Sequence, residues 1–123
     1  MTTVASVLTA IVAIEHFYIL WIEMFSWENK GKKTFKGSLL DELFKPTKKL
    51  AANQGLYNGF LATGLIWSFL ITDVLWASHI RLFFLSCVVI AGIYGAITVS
   101  KKIFFLQAVP ALLAILSVLL SNF

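Results

Sequence analysis

Glu15, His16 and Glu23 lie within an otherwise apolar run from Val4 to Phe25. They are the residues of this chain whose types best suit chemistry. An acid at the centre of a membrane helix costs about 2.5–3.5 kcal/mol on insertion scales, so each such residue calls for a partner or a task. His16 and Glu23 are seven residues apart, which puts them on one helix face with Leu20 between them and Trp27 following. Glu15 lies about 100° round from His16, so the two cannot point at one small spot. An acid and an imidazole in these positions suit proton exchange against a cationic or polar substrate. They equally suit general acid and base roles on a lipophilic one.

Other polar groups should lie at similar depth. The second apolar run opens Asn53-Gln54-Gly55-Leu56-Tyr57-Asn58-Gly59, where Gln54 with Asn58 and Asn53 with Tyr57 are i, i+4 pairs. Tyr94, Thr98 and Gln107 fall near the same end of the third and fourth runs. We therefore expect a polar cavity closest to the cytoplasm, with Glu15 and His16 at its floor. Glu15, His16 and Glu23 would do the acid–base work, and Trp27, Gln54, Tyr57, Asn58, Tyr94 and Gln107 would bind substrate. A plainer role exists for each. Asn, Gln and Tyr in membrane helices often only bond a neighbouring helix, for about 0.6–2 kcal/mol, and Glu23 can snorkel to the interface.

The elements that must position these residues follow from composition. The chain has 123 residues, 59% hydrophobic and 13% charged. A soluble domain is about 45–50% apolar and about 25% charged. The excess sits in four runs, residues 4–25, 52–74, 82–98 and 103–120, each near the roughly 20 residues that cross a bilayer. We read one all-α domain, a four-helix transmembrane bundle. The first run has no basic leader and no small-residue cleavage site, so it is expected to be retained as a span rather than removed as a signal peptide.

Charge sets the orientation. Seven lysines lie between Lys30 and Lys49, and Lys101 and Lys102 join the third and fourth runs, whereas only Arg81 joins the second and third. The positive-inside rule then places linker 26–49 in the cytoplasm and both termini outward, in a bacterial inner membrane. Within that linker, Ser38–Lys45 carries its apolar residues on one face before Pro46. It reads either as a short helix lying on anionic headgroups or as a solvated loop. Ala91 with Gly95 and Gly92 with Ala96 are small-xxx-small pairs open to another helix. Pro110 predicts a kink that frees the carbonyl of Leu106.

No phosphate loop, dinucleotide fingerprint, CxxC, HExxH or GxSxG is present. We therefore expect no metal and no cofactor. The net charge of +4 comes from lysines beside apolar runs, which suits a lipid bilayer as partner and not nucleic acid. Cys87, the single cysteine, cannot form an internal disulfide.

Three blocks carry a resemblance. Residues Glu15-His16-Phe17-Tyr18-Ile19-Leu20-Trp21-Ile22-Glu23-Met24-Phe25, then Asn53 to Phe60, then Ala91-Gly92-Ile93-Tyr94-Gly95, resemble a family of small bacterial integral-membrane proteins, the domain-of-unknown-function family 1304. The likeness covers nearly the whole chain and implies a four-span protein, with no activity attached. A looser likeness, to small multidrug resistance transporters, rests on length, four spans and a glutamate in the first span. It departs at His16 and at the polar start of the second. The residues thus favour a proton-coupled small-molecule transporter, expected as a homodimer because four short helices enclose little volume. A cofactor-independent isomerase or epimerase on a lipophilic substrate is the alternative, and a scaffold without chemistry a third.

Overall fold

The computed structural model describes residues 2–122. Its long elements are all helical. α1 (Thr3–Phe25) contains neither glycine nor proline and opens where the Thr2 hydroxyl accepts the Ala5 N–H at 3.2 Å. It ends at Ser26, whose hydroxyl accepts from the Lys30 N–H across a single π turn, Trp27–Gly31. A short α2 (Lys32–Thr34), an isolated bridge between Lys36 and Leu39 and a 3-10 turn (Asp41–Leu43) complete the linker. Of the segment Ser38–Lys45, read either as a short helix or as a solvated loop, only that single turn is helical. Gly37, at φ +88°, bends the chain just before it.

α3 (Lys48–Leu70) is followed by only three residues, Ile71–Asp73, before α4 (Val74–Thr98). α4 begins eight residues earlier than the apolar run that marks it in the sequence. Asp73 Oδ1 accepts the Trp76 N–H at 2.8 Å and so caps the helix there. Arg81, read from the sequence as a linker residue, lies inside this helix. One polar side chain interrupts a hydropathy run without interrupting the backbone ladder. After Val99 and Ser100 come α5 (Lys101–Ile103), a π turn (Phe104–Ala108) and α6 (Val109–Asn122). Pro110 is the second residue of α6. The wider turn lies just before it, where the proline ring would crowd the carbonyl of Leu106.

Among the described residues, three helices are both long and apolar enough to cross a membrane: Thr3–Phe25, Val74–Thr98 and the continuous Lys101–Ser121. α3 has the length of a span, 23 residues, but its first half carries Asn53, Gln54 and Asn58.

The chain divides into two compact units. One is residues 2–14 together with residues 61–122, and the other is Glu15–Phe60. The first has a core of small and branched side chains. Ala5, Val12, Ala13, Leu65, Leu85, Val88, Ala111, Ala114 and Val118 are fully buried, and no aromatic ring is among them. Small residues let helix backbones approach where apolar solvent gives no reward for burying large ones. Ile97 and Leu120, by contrast, are about 80% exposed, the distribution of a protein whose surroundings are apolar. α4 packs along α6 and the π turn. A Cβ on Gly92 would come within 2.9 Å of Ala108, and one on Gly95 within 2.9 Å of Ile103. These small residues are thus engaged within the chain itself.

Candidate functional site

The unit Glu15–Phe60 is a helix pair joined by a folded linker. On the α1 side, His16 is 1% exposed and Glu23 is 8% exposed, with Leu20 between them. On the α3 side stand Gly55, Asn58 and Gly59. A Cβ on Gly55 would lie 2.8 Å from Met24 Cγ, 2.9 Å from Glu23 Cβ and 3.2 Å from the Leu20 carbonyl oxygen. One on Gly59 would overlap Leu20 Cδ1. The two glycines form a GxxxG spacing, and their missing side chains let α3 lie against α1. That closeness brings Asn58 Nδ2 to within 2.6 Å of Glu23 Oε1, to which it donates. At 2.6 Å this is a short hydrogen bond between the two helices.

Glu15 is placed differently. Its Oε1 is buried and meets no hydrogen-bond partner among the described residues, although the side chain as a whole is half-buried. Most buried polar atoms are hydrogen-bonded, so one that is not needs a reason. His16 is buried on the neighbouring face.

Trp27 closes the unit at the linker. Its indole packs against Phe35 (centroids 5.5 Å apart) and against Phe44 (4.9 Å), and Phe44 is fully buried. Trp27 Nε1 donates to Thr47 Oγ1 at 3.0 Å, and Thr47 Oγ1 donates in turn to the Leu43 carbonyl at 2.7 Å. Gly31 lies under the ring, where a Cβ would come 2.9 Å from Trp27 Cε3. An ion pair, Lys48 to Glu28 at 3.8 Å, flanks the cluster at the surface, where such pairs contribute little. The linker is therefore a small folded lobe whose core is Trp27.

Gln54 and Tyr57 lie on exposed positions of α3, with Tyr57 edge-on to Phe60 at 5.7 Å. Tyr94, also exposed, and Gln107, half-buried, belong to the other unit. Of the predicted residues the structure brings Glu23 and Asn58 into contact, keeps His16 buried on the Glu23 face, and holds Trp27 in the linker core. Among the described residues no three His, Cys, Asp or Glu side chains cluster as metal ligands would.

A family model described as "Protein of unknown function (DUF1304)" matches residues 10–119. The chain belongs to the DUF1304 family. The match takes in the whole unit Glu15–Phe60. The chain is also similar to "Uncharacterized protein YpaA" of Lactococcus lactis subsp. lactis (strain IL1403), 33% identical over 125 residues, covering 95% of this chain and 98% of that protein. No solved structure gives a significant match.

Two features of this DUF1304 protein escape a reading of polar residues alone. One is the Gly55–Gly59 spacing, visible in the sequence but overshadowed by Asn58 and Gln54 around it. The other is Arg81, 4% exposed inside α4. Its Nε donates to Ser68 Oγ at 2.8 Å and its Nη1 to Ser6 Oγ at 3.3 Å, and the guanidinium stands 4.0 Å over the Phe69 ring. The hint was a charge flanked by apolar residues in a chain where such charges are few.

Proposed function

We propose that the protein is a four-span protein of the bacterial inner membrane, with both termini outward, that exchanges protons for a small cationic or polar molecule. Glu15 carries this reading. An acid eleven residues into the first span stands about 17 Å along the helix, near the bilayer centre. A buried carboxyl oxygen that the described residues leave without a partner at that depth supports a group that binds and releases something. α3 serves as the fourth span: its 23 residues suffice in length, and its most buried amide, Asn58, is matched by Glu23. The lysines of linker 26–49 favour a cytoplasmic side for it by the positive-inside rule.

A transporter needs polar groups toward both membrane faces. Arg81 with Ser6 and Ser68 supplies them toward the outer one, which favours transport over an enzyme working from a single side. A homodimer would give the four short helices the enclosed volume that one bundle lacks.

The test uses proteoliposomes loaded with a pH-sensitive dye and challenged with a panel of small organic cations. The expected result is cation-driven proton movement that Glu15→Gln abolishes while insertion and fold are kept. Equal dye responses from wild type and Glu15→Gln would overturn the proposal. A membrane enzyme without transport would likewise leave the dye signal flat.

A further inference from the structure

The turn joining α4 to α6 carries a feature that the Glu15 site does not use. A shallow groove of about 430 Å³ opens there, lined by Ala96, Ile97, Lys101, Phe104 and Phe105. Its walls are apolar and turned outward: Ile97 is 79% exposed and Phe105 66% exposed. Phe104 and Phe105 stand edge to face at 5.5 Å on the π turn. The rim is cationic. Lys101 and Lys102 are both exposed, and neither forms a salt bridge among the described residues. No acidic residue follows Asp73 in the sequence, so no side-chain carboxylate from the last fifty residues answers these two charges.

We infer that this groove is a binding site for one anionic phospholipid, its phosphodiester on Lys101 and Lys102 and the first part of an acyl chain against Ile97 and Phe105. The inference rests on the membrane-spanning reading above, which sets these lysines at the cytoplasmic interface. Basic positions at that level attract anionic headgroups by about 1 kcal/mol per lysine, or about fivefold each. Diffuse attraction would need only the charges. The groove adds a place for the chain, since the apolar walls meet methylene groups in continuity with the exposed face of α4. A zwitterionic lipid brings its own ammonium group against the two lysines and is disfavoured. A free phosphate gains nothing from Ile97, Phe104 or Phe105.

The full chain, extracted in a mild nonionic detergent, is titrated with dioleoylphosphatidylglycerol or dioleoylphosphatidylcholine and followed by native mass spectrometry. One phosphatidylglycerol is expected to bind in preference to phosphatidylcholine. Lys101→Gln with Lys102→Gln should weaken it about twenty-five-fold, from about fivefold per lysine. Lys32→Gln with Lys33→Gln, an equal loss of charge in the other basic linker, should change it less than twofold. Ile97→Trp, which fills the groove and keeps both lysines, should also displace the lipid. Equal losses from the two double variants, no preference over phosphatidylcholine, or an Ile97→Trp variant that binds as wild type would each overturn the site. Displacement by glycerol 3-phosphate at the same concentration as the lipid would assign it to free phosphate instead. Failure of the membrane reading is distinguishable, because the chain would then appear in the supernatant of alkaline-washed membranes.

Discussion

Gly55→Ala adds one methyl group where α1 and α3 come closest. The new carbon would meet Met24 Cγ at 2.8 Å, Glu23 Cβ at 2.9 Å and the Leu20 carbonyl oxygen at 3.2 Å. The Met24 side chain can swing aside. Glu23 Cβ and the Leu20 carbonyl move only with α1 itself. Carbon atoms prefer separations of about 3.5–4.0 Å, so the helices must part locally by about 0.6 Å. Overpacking of this kind costs about 1–3 kcal/mol, and the better helix propensity of alanine returns up to about 1 kcal/mol. Parting the helices also stretches the 2.6 Å bond from Asn58 to Glu23, worth about 0.6–1.7 kcal/mol between membrane helices. We expect a net loss of about 1–3 kcal/mol. Gly59→Ala meets only Leu20, and chiefly its terminal Cδ1, which can rotate. It should therefore lie within about 0.5 kcal/mol of wild type once its propensity gain is included. Reversible unfolding in mixed micelles of mild detergent and dodecyl sulfate, read by tryptophan fluorescence, gives both values. Combining Gly55→Ala with Asn58→Ala should cost less than the sum of the two, because the first already weakens the bond that the second removes. A Gly55→Ala protein as stable as wild type would show that Gly55 does not set the approach of these helices, and a larger loss at Gly59 would move that role to Gly59.

Trp27→Phe keeps a ring between Phe35 and Phe44 but loses the donor to Thr47. It should cost about 0.5–1.5 kcal/mol and speed limited trypsin cleavage at Lys32 and Lys33. Unchanged cleavage would mean that the indole bond does not hold the lobe. Ser68→Ala removes the acceptor of Arg81 Nε and should destabilise by about 1–3 kcal/mol. Ser86→Ala, an exposed position on the same helix as Arg81, serves as the control and should cost far less. For topology, Ser121→Cys should react with an impermeant thiol reagent on intact cells and Lys33→Cys only after permeabilisation, in a Cys87→Ser background; the opposite pattern would invert the orientation.

Periodicity carried part of this picture. Seven-residue spacing put His16 and Glu23 on one face, and their buried side chains do share it. Strand-free apolar runs announced helices. Depth counting set Asn58 level with Glu23, and the two side chains meet. What periodicity misses is whatever depends on the approach of distant backbone. The contact between Gly55 and the Leu20 carbonyl needs the helix pair to exist before its closeness can be measured. The Trp27 cluster joins residues up to twenty positions apart through a linker whose hydropathy has no regular period. Gln54, one position before Gly55, turns outward, although it shares its i, i+4 row with Asn58. Hydropathy likewise began the third run only after Arg81, whereas the helix starts eight residues earlier, where Asp73 caps it, and Ser68 and Ser6 receive the guanidinium.

The three polar side chains of α1 divide by what the fold supplies to each. Glu23 faces the glycine surface of α3, has Asn58 at 2.6 Å, and is held by the same close packing that a single methyl group would disturb. Its hydrogen bond joins two helices, and a group so engaged is poorly placed to release a proton or take a ligand without loosening the pair. His16 is buried on that same face and turned by about 100° from Glu15. Glu15 is the acid whose buried oxygen the described residues leave unmatched, so binding there costs no existing contact. Charge exchange is least obstructed at a group that the structure has not already used, and this is why the functional proposal rests on Glu15, while Glu23, more deeply buried, is assigned to holding α1 against α3.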